Sequence, residues 1–286
     1  MRTTTVPIAL AEQTEIAAYT DFAAGAPAPV REALGIGSLR LGPARALAIR
    51  EDPSRFFNRA GGFGPGRPAT AALAVRVRDF FREQGVPQGA FMIAPSLLPP
   101  DWASTVARLR LTEGTRFAKL GCDTGTALSA ADGVAALDPA LRVGPVEPHQ
   151  AREWAAAMMT TFGFTGPAMA DMAAACVGRP GWRQYAVREG ERIIAVGSLF
   201  VNGDCADMFG GATLPAGRGR GAQSALLTAR VRAARDAGCR WLVAETGAEG
   251  PGEHNTSLHN MLRAGFEHLY ERVAWVWRAQ DDCSNT

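Results

Sequence analysis

Between Trp182 and Leu214 the chain reads as three apolar runs separated by two turn dipeptides. Trp182–Arg188 leads into Glu189-Gly190, Arg192–Val201 into Asn202-Gly203, and Cys205–Leu214 closes the stretch. Short runs with strand spacing joined by an Xaa-Gly pair predict an antiparallel three-stranded meander. The next segment narrows the fold further. Gly217-Arg218-Gly219-Arg220-Gly221 precedes a helical run to about Ala237, Gly238 stops that helix, and "RWLVAET" is a further strand. A strand–helix–strand crossover is parallel, so a sheet holding both features must be mixed.

The flanking elements complete an order. "LRVGPV" (141–146) is a short strand, and "HQAREWAAAMMTTFG" and "PAMADMAAACVG" have helical spacing, the second ending at Gly178. A helix from about Thr256 to Ala264 follows the "RWLVAET" strand, then two closing strands around "GFEHLY" and "RVAWVWR". The C-terminal half therefore reads β-α-α-β-β-β-α-β-α-β-β, and the tail "AQDDCSNT" reads as a frayed end. The N-terminal half repeats part of this order. "SLRLGPARALAIRE" and "RFFNRAGGFG" read as strands, "TAALAVRVRDFFREQG" as a helix stopped by Gly85, "GAFMIAPS" as a strand, "PPDWASTVARLRL" as a helix and "GTRFAKLG" as a closing strand. "RVRDFFREQGV" also echoes "RVRAARDAGC". This predicts an α/β (α+β) chain with a mixed, mostly antiparallel sheet flanked by helices, arising from an internal duplication. The division is a first copy over 1–125, a small and turn-rich linker over 126–140 and a second copy over 141–286.

Composition excludes several function classes. Charged residues make up 20% of the 286 and the formal net charge is +2, too little for a nucleic-acid or anionic-membrane surface. Five scattered cysteines without a CxxC spacing fit reduced thiols rather than a disulfide framework or zinc site. His254 and His259 are five apart, which would not stack them on one helical face, so no metal is expected. The N-terminal stretch carries Glu12 and Glu15 and has no long apolar run, so neither a signal peptide nor a membrane span is predicted. The expectation is a soluble, cytoplasmic protein, as monomer or homodimer, with a small-molecule partner.

The glycine-arginine loop has three readings. A nucleotide P-loop needs GxxxxGK[ST], and the lysine and hydroxyl are missing. A dinucleotide fingerprint is matched in spacing by Gly217, Gly219 and Ala222, but that motif belongs after the first strand of a βαβ unit rather than after a meander. The third reading is a diphosphate site. The first amides of a helix lack intrahelical acceptors and carry partial positive charge, so they can grip an anion. Glycines let the anion approach, and the arginines attract it from a distance.

At this loop the chain resembles the GCN5-related N-acetyltransferases. "RGRGAQSALL" is similar to their acetyl-CoA signature (Q/R)xxGx(G/A), with Arg218 in the first position, Gly221 as the central glycine and Gln223 departing from the usual Gly or Ala at the last. "NTSLHNMLRAGF" (255–266) is similar to the family's later motif, and the element order of 141–278 agrees. The resemblance implies acetyl-CoA bound through Thr213, Leu214, Arg218, Gly219, Arg220, Gly221, Ala222, Gln223 and Ser224, with a coenzyme contact from Asn255 and with Asn260 bonding either the pantetheine arm or a backbone carbonyl. Asn255 also stands at an N-cap position, so capping alone accounts for it. In the first copy "GFGPGRPATAAL" keeps Gly64 and Gly66, but Pro68 interrupts the loop, so that copy is expected to keep the fold without binding coenzyme and to pack, or to line one wall of an acceptor pocket.

The resemblance implies direct transfer of an acetyl group to an amine in a splay between the strand ending at Leu214 and the strand Trp241–Thr246. A backbone N–H near Leu214 would polarise the thioester carbonyl. Glu245 is the first choice of general base; Asp207 is second, its other reading being a solvent-facing strand residue. Glu249 and Glu253 read as a solvated loop or as contacts to a cationic acceptor. The tyrosine that many relatives place four residues before Gly-Phe is Met261 here, which leaves His259 and Tyr270 as substitutes for the general acid, or an unassisted thiolate. Cys205 and Cys239 have no histidine beside them in sequence and read as packing residues. The expected acceptor is the primary amine of a small molecule, such as an amino acid, a polyamine or an amine-bearing natural product. A protein lysine or N-terminus, or a coenzyme A sensor without turnover, is the alternative.

Overall fold

The computed structural model describes residues 5–131, 135–164 and 166–279; of the tail expected to fray, Ala279 is described and donates to Pro87 O at 3.0 Å, and the rest lies outside the described residues. The first half runs α1 (Ile8–Ala24), α2 (Ala28–Leu34), β1 (Ile36–Leu41), β2 (Ala44–Ile49), β3 (Arg59–Gly61), α3 (Ala71–Glu83), β4 (Gln88–Met92), α4 (Trp102–Leu109) and β5 (Thr112–Asp123). Next come α5 (Thr124–Ala131) and β6 (Leu141–Pro145). The second half runs α6 (Ala151–Thr161), α7 (Pro167–Ala174), β7 (Trp182–Glu189), β8 (Arg192–Asn202), β9 (Cys205–Asp207), β10 (Ala212–Thr213), α8 (Ala222–Asp236), β11 (Trp241–Gly247), α9 (Thr256–Arg263) and β12 (Glu267–Arg278). With β9 and β10 read as one interrupted strand, the order α-α-β-β-β-α-β-α-β occurs twice. The duplication expected from sequence is therefore a repeat of whole elements.

The strands form one sheet in the order β1-β2-β3-β4-β12-β5-β11-β9-β8-β7-β6, with β10 beside β8. Its arrangement shows how the halves are joined. The last strand of the first repeat, β5, pairs antiparallel with β11 of the second. The last strand of the second repeat, β12, pairs antiparallel with β4 of the first. The two exchanged strands pair with each other at the centre. Each repeat thus completes the sheet of the other, and the sheet has no edge between them. Most pairings are antiparallel; β3–β4 and β9–β11 are parallel.

Three sequence expectations change in detail. The two closing strands are one, β12, whose register shifts at His268/Tyr270 and Val273/Trp275 produce the break read from sequence. The third strand of the meander is split, because the ladder stops at Asp207 and resumes only at Ala212. Part of the segment read as linker is helical, since α5 covers Thr124–Ala131.

Helices α8 and α9 pack Leu227, Val231, Leu258 and Met261 against Leu120, Leu242 and Ala244 of the sheet. Alternation along β11 turns Val243 to the opposite face, where it packs with Ala11 of α1. Helix α1 is covered on nearly all sides, and Glu12, Glu15 and Tyr19, spaced three and four apart, share one of its stripes. Among the described residues, no helix is long and apolar enough to cross a membrane.

Candidate active site

The site opens where two strands part. Strands β9 and β11 run parallel only as far as Asp207 and Val243, and the Met208 N–H makes the last bridge, to Val243 O at 2.8 Å. Beyond it, the chain swings toward β8: the Ser198 N–H donates to Phe209 O at 2.8 Å, and Ala212 and Thr213 pair with Val196 and Ala195. Strand β11 continues to Gly247 against β5 alone. A cavity of about 1130 Å³ fills the opening and runs from the glycine-arginine loop to the carboxylates beneath α1.

At one end lies the start of α8. Gly219 (φ 71°) and Gly221 (φ 74°) take the left-handed conformation that a side chain would strain. A Cβ on Gly221 would also lie 2.2 Å from the Ala136 carbonyl oxygen. No side chain caps α8, so its first amides have no side-chain acceptor. The first repeat is built differently at the corresponding point, where the Thr70 hydroxyl caps α3 by accepting from the Leu73 N–H.

The loop residues separate into two groups. Thr213, Arg218, Gly219, Gly221, Ala222, Gln223, Ser224 and Asn260 line the cavity. Arg220 turns away; its guanidinium donates to Asp138 at 2.8 Å and Glu189 at 2.7 Å, and its carbonyl accepts from the Asp138 N–H. It therefore ties Asp138 to the loop and is not among the residues lining the cavity. Leu214 also lies outside the cavity lining, and its N–H donates to Ile194 O at 2.9 Å, so it is not free to polarise a carbonyl. Gln223 donates to Ser257 Oγ at 3.0 Å and accepts from Asn260 Nδ2 at 2.6 Å, which fastens α8 to α9 along the cavity wall. Asn255 caps α9 by accepting from the Ser257 and Leu258 N–H groups, and its amide donates to Thr246 Oγ1 and Gly247 O. All of its hydrogen-bonding capacity is used within the protein.

At the other end is a buried charge cluster. The Arg272 guanidinium meets Glu12 and Glu15 of α1 and Glu245 of β11. Lys119 pairs with Glu15, and Arg59 stands 3.5 Å from Glu15 and 3.7 Å from Glu245. Three carboxylates thus face three cations, as deep burial of charge requires. Burial raises Glu245 above the usual carboxylate range, although Arg272 opposes it. Burial would raise Glu15 too, but Arg272, Lys119 and Arg59 together hold it at about 2.

Asp207 differs from these three. It is 4% exposed, lines the cavity, and its carboxylate accepts no hydrogen bond among the described residues. Burial pushes it up to about 7. The solvent-facing alternative considered from sequence is incorrect, because α1 covers this face of β9. Glu245 reaches the cavity but is engaged by Arg272 and Arg59. Tyr270 does not line it; its hydroxyl donates to Glu12 Oε1 at 2.6 Å, and burial raises its pKa far above the ordinary range.

Several site features were missed in sequence. Tyr19, Phe56 and Phe57 of the first repeat line the same cavity, as does Glu15. Arg59 lies over the Tyr19 and Phe56 rings at 4.2 and 4.0 Å. The usable signal was a pair of glutamates spaced three apart within an otherwise apolar helical run. His254 and His259, expected to stay apart, have stacked rings 4.5 Å between centroids, because His254 lies in the irregular segment just before α9 and not on the helix itself. Glu249 accepts from His259 Nε2 at 3.0 Å beside them. Cys205 and Cys239 are buried among apolar neighbours, and burial pushes Cys205 to about 12.

This architecture has known counterparts. Residues 115–250, just under half of the chain, match the family model described as an acetyltransferase (GNAT) domain. A GCN5-related N-acetyltransferase from Kribbella flavida superposes over 93% of this chain and 95% of that chain, with TM-score 0.63 and 15% identity. A tandem GNAT protein from the clavulanic acid biosynthesis pathway covers 94% and 97%, with TM-score 0.59 and 14% identity. The fold is that of the GCN5-related N-acetyltransferases, in tandem. A member of that group from Sphaerobacter thermophilus also superposes, over 84% and 82%, with TM-score 0.57 and 13% identity. No curated protein matches in sequence. The parted strands and the open helix start of the tandem acetyltransferase fold both lie in its second repeat.

Proposed function

We propose that the chain is an acetyl-CoA-dependent N-acetyltransferase acting on the primary amine of a small molecule. Residues 141–286 form the catalytic repeat, residues 1–125 the copy that has lost coenzyme binding, and 126–140 the connection between them. The observation that carries this reading is the continuity of one cavity from the uncapped start of α8 to an unpartnered carboxylate, Asp207. The amides of Gly219–Ser224 suit a diphosphate, Arg218 adds charge at the mouth, and the Gln223–Asn260 wall suits a pantetheine arm. The capped α3 of the first repeat supports assigning coenzyme to the second alone.

In this reading the thioester lies between β10 and β11. Asp207 accepts a proton from the substrate ammonium, and the freed amine attacks the thioester carbonyl. The C–N bond forms as the C–S bond breaks, and the thiolate leaves to take up a proton. A carboxyl titrating near 7 is matched to that proton transfer. Glu245 holds Arg272 and Arg59 in place instead of acting as the base. Coenzyme A release, measured as free thiol over a panel of amines, tests the reading. It predicts amine-dependent turnover with acetyl-CoA, and turnover absent with every amine would reject it in favour of a coenzyme sensor.

A further inference from the structure

The acceptor end of the cavity bears on the class of amine. On that side its walls are aromatic and come from both repeats: Tyr19, Phe56 and Phe57 from the first, Phe162, Phe164 and Phe209 from the second. Their rings lie in mutual contact, with Tyr19–Phe209 at 5.1 Å, Phe57–Phe164 at 5.4 Å and Tyr19–Phe56 at 5.8 Å. Among the described residues, the acids lining the cavity are Glu15, Glu245 and Asp207. The two glutamates are held by Arg272, with Lys119 and Arg59 beside them. Among the described lining residues, Asp207 is the one carboxylate with no hydrogen bond or ion pair of its own, which leaves it open to a ligand.

That distribution discriminates between amines. A polyamine or aminoglycoside brings several ammonium groups, and each needs a carboxylate or water as its partner when it leaves bulk solvent. Here one is provided. An amino acid brings a carboxylate, which needs a free cation near the ammonium site. Arg218 stands at the coenzyme loop, and Arg230, which lines the cavity and attracts Asp207, is buried with its guanidinium bound to the Leu226 and Ser198 carbonyls. A single ammonium on a flat apolar body meets no such conflict, and its body gains the ring contacts.

Building on the acetyltransferase reading, we infer that the acceptor is a monocationic amine with an aromatic or similarly flat apolar body, clasped between the two repeats and held by its ammonium at Asp207. The ranking of amines by binding tests this without requiring turnover. 2-Phenylethylamine, spermidine and L-lysine are titrated calorimetrically into the full chain, alone and with coenzyme A present. Phenylethylamine is expected to bind at least about tenfold more tightly than either of the others, a discrimination that apolar pockets commonly reach. Phe162→Ala removes a ring that is 49% exposed and so perturbs folding little; it is expected to erase most of that preference. Asp207→Asn is expected to weaken phenylethylamine binding tenfold or more. Spermidine or lysine binding as tightly as phenylethylamine, or a preference that survives Phe162→Ala, would overturn the inference. A separate titration with acetyl-CoA reads the coenzyme site: its failure would remove the transferase reading and leave the amine ranking standing.

Discussion

Replacing Asp207 by Asn should make the protein more stable at neutral pH while abolishing its chemistry. The carboxyl titrates near 7 in the fold, raised from 3.8 by burial. The folded state therefore holds this proton more tightly than the unfolded chain. The stabilisation due to the proton is complete below about pH 4, falls as pH rises from 4 to 7, and is gone above 7. A difference of about three pH units corresponds to roughly 4 kcal/mol. Asn is neutral throughout and nearly isosteric, and the attraction of Lys119 and Arg230 that the carboxylate loses is already outweighed by its burial. Urea denaturation of both proteins from pH 4 to pH 8 should show equal stability at the acidic end. Asp207→Asn should then gain by a few kcal/mol toward pH 8. With acetyl-CoA and an accepted amine, kcat/KM of the wild type should rise with pH through about 7, and the variant should lose about 10²- to 10⁴-fold. A variant less stable than wild type at pH 8 would show that a protein partner holds the Asp207 carboxylate, and unchanged activity would show that Asp207 is not the base.

Three further outcomes follow from the geometry. Gly221→Ala forces a side chain against the Ala136 carbonyl at a φ of 74°, so acetyl-CoA affinity should fall at least about tenfold by calorimetry and stability by about 1–3 kcal/mol; Gly66→Ala in the first repeat, with open space around its Cβ, should be silent in both. Arg272→Met strands Glu12, Glu15 and Glu245 without their shared cation and should cost about 3–5 kcal/mol in urea denaturation. Asn255→Ala removes the cap of α9 and should lower stability by about 1–2 kcal/mol in a thermal melt, with little change in coenzyme affinity, since its side chain is fully engaged within the protein.

The readable parts of the sequence were those whose signal is local. Turn dipeptides marked the hairpins, 3.6-residue spacing marked α3 and α8, and Gly221 marked the open helix start. Helix α1 was missed because it is buried almost all round. Such a helix has no polar face to give it a period, and its Glu12 and Glu15 were read only as arguments against a membrane. The closing strand was read as two because its bulges interrupt the alternation on which strand reading depends. Asp207 was ranked below Glu245 for a similar reason. Both lie on strands beside the opening, and only the ion pairs made by Arg272 and Arg59 distinguish an engaged carboxylate from a free one.

The sequence by itself determined most of the elements, part of their duplicated order and the glycine-arginine loop ahead of α8, because backbone preferences and short-range hydrogen bonds are written in neighbouring residues. The tertiary structure alone decided that β5 and β12 change places between the repeats, and that α1 brings Glu15 and Tyr19 of one repeat into the cavity of the other. Strand partners are chosen by the burial of whole faces, and the ionisation of a carboxyl by every charge around it. Neither property belongs to a segment of chain considered alone.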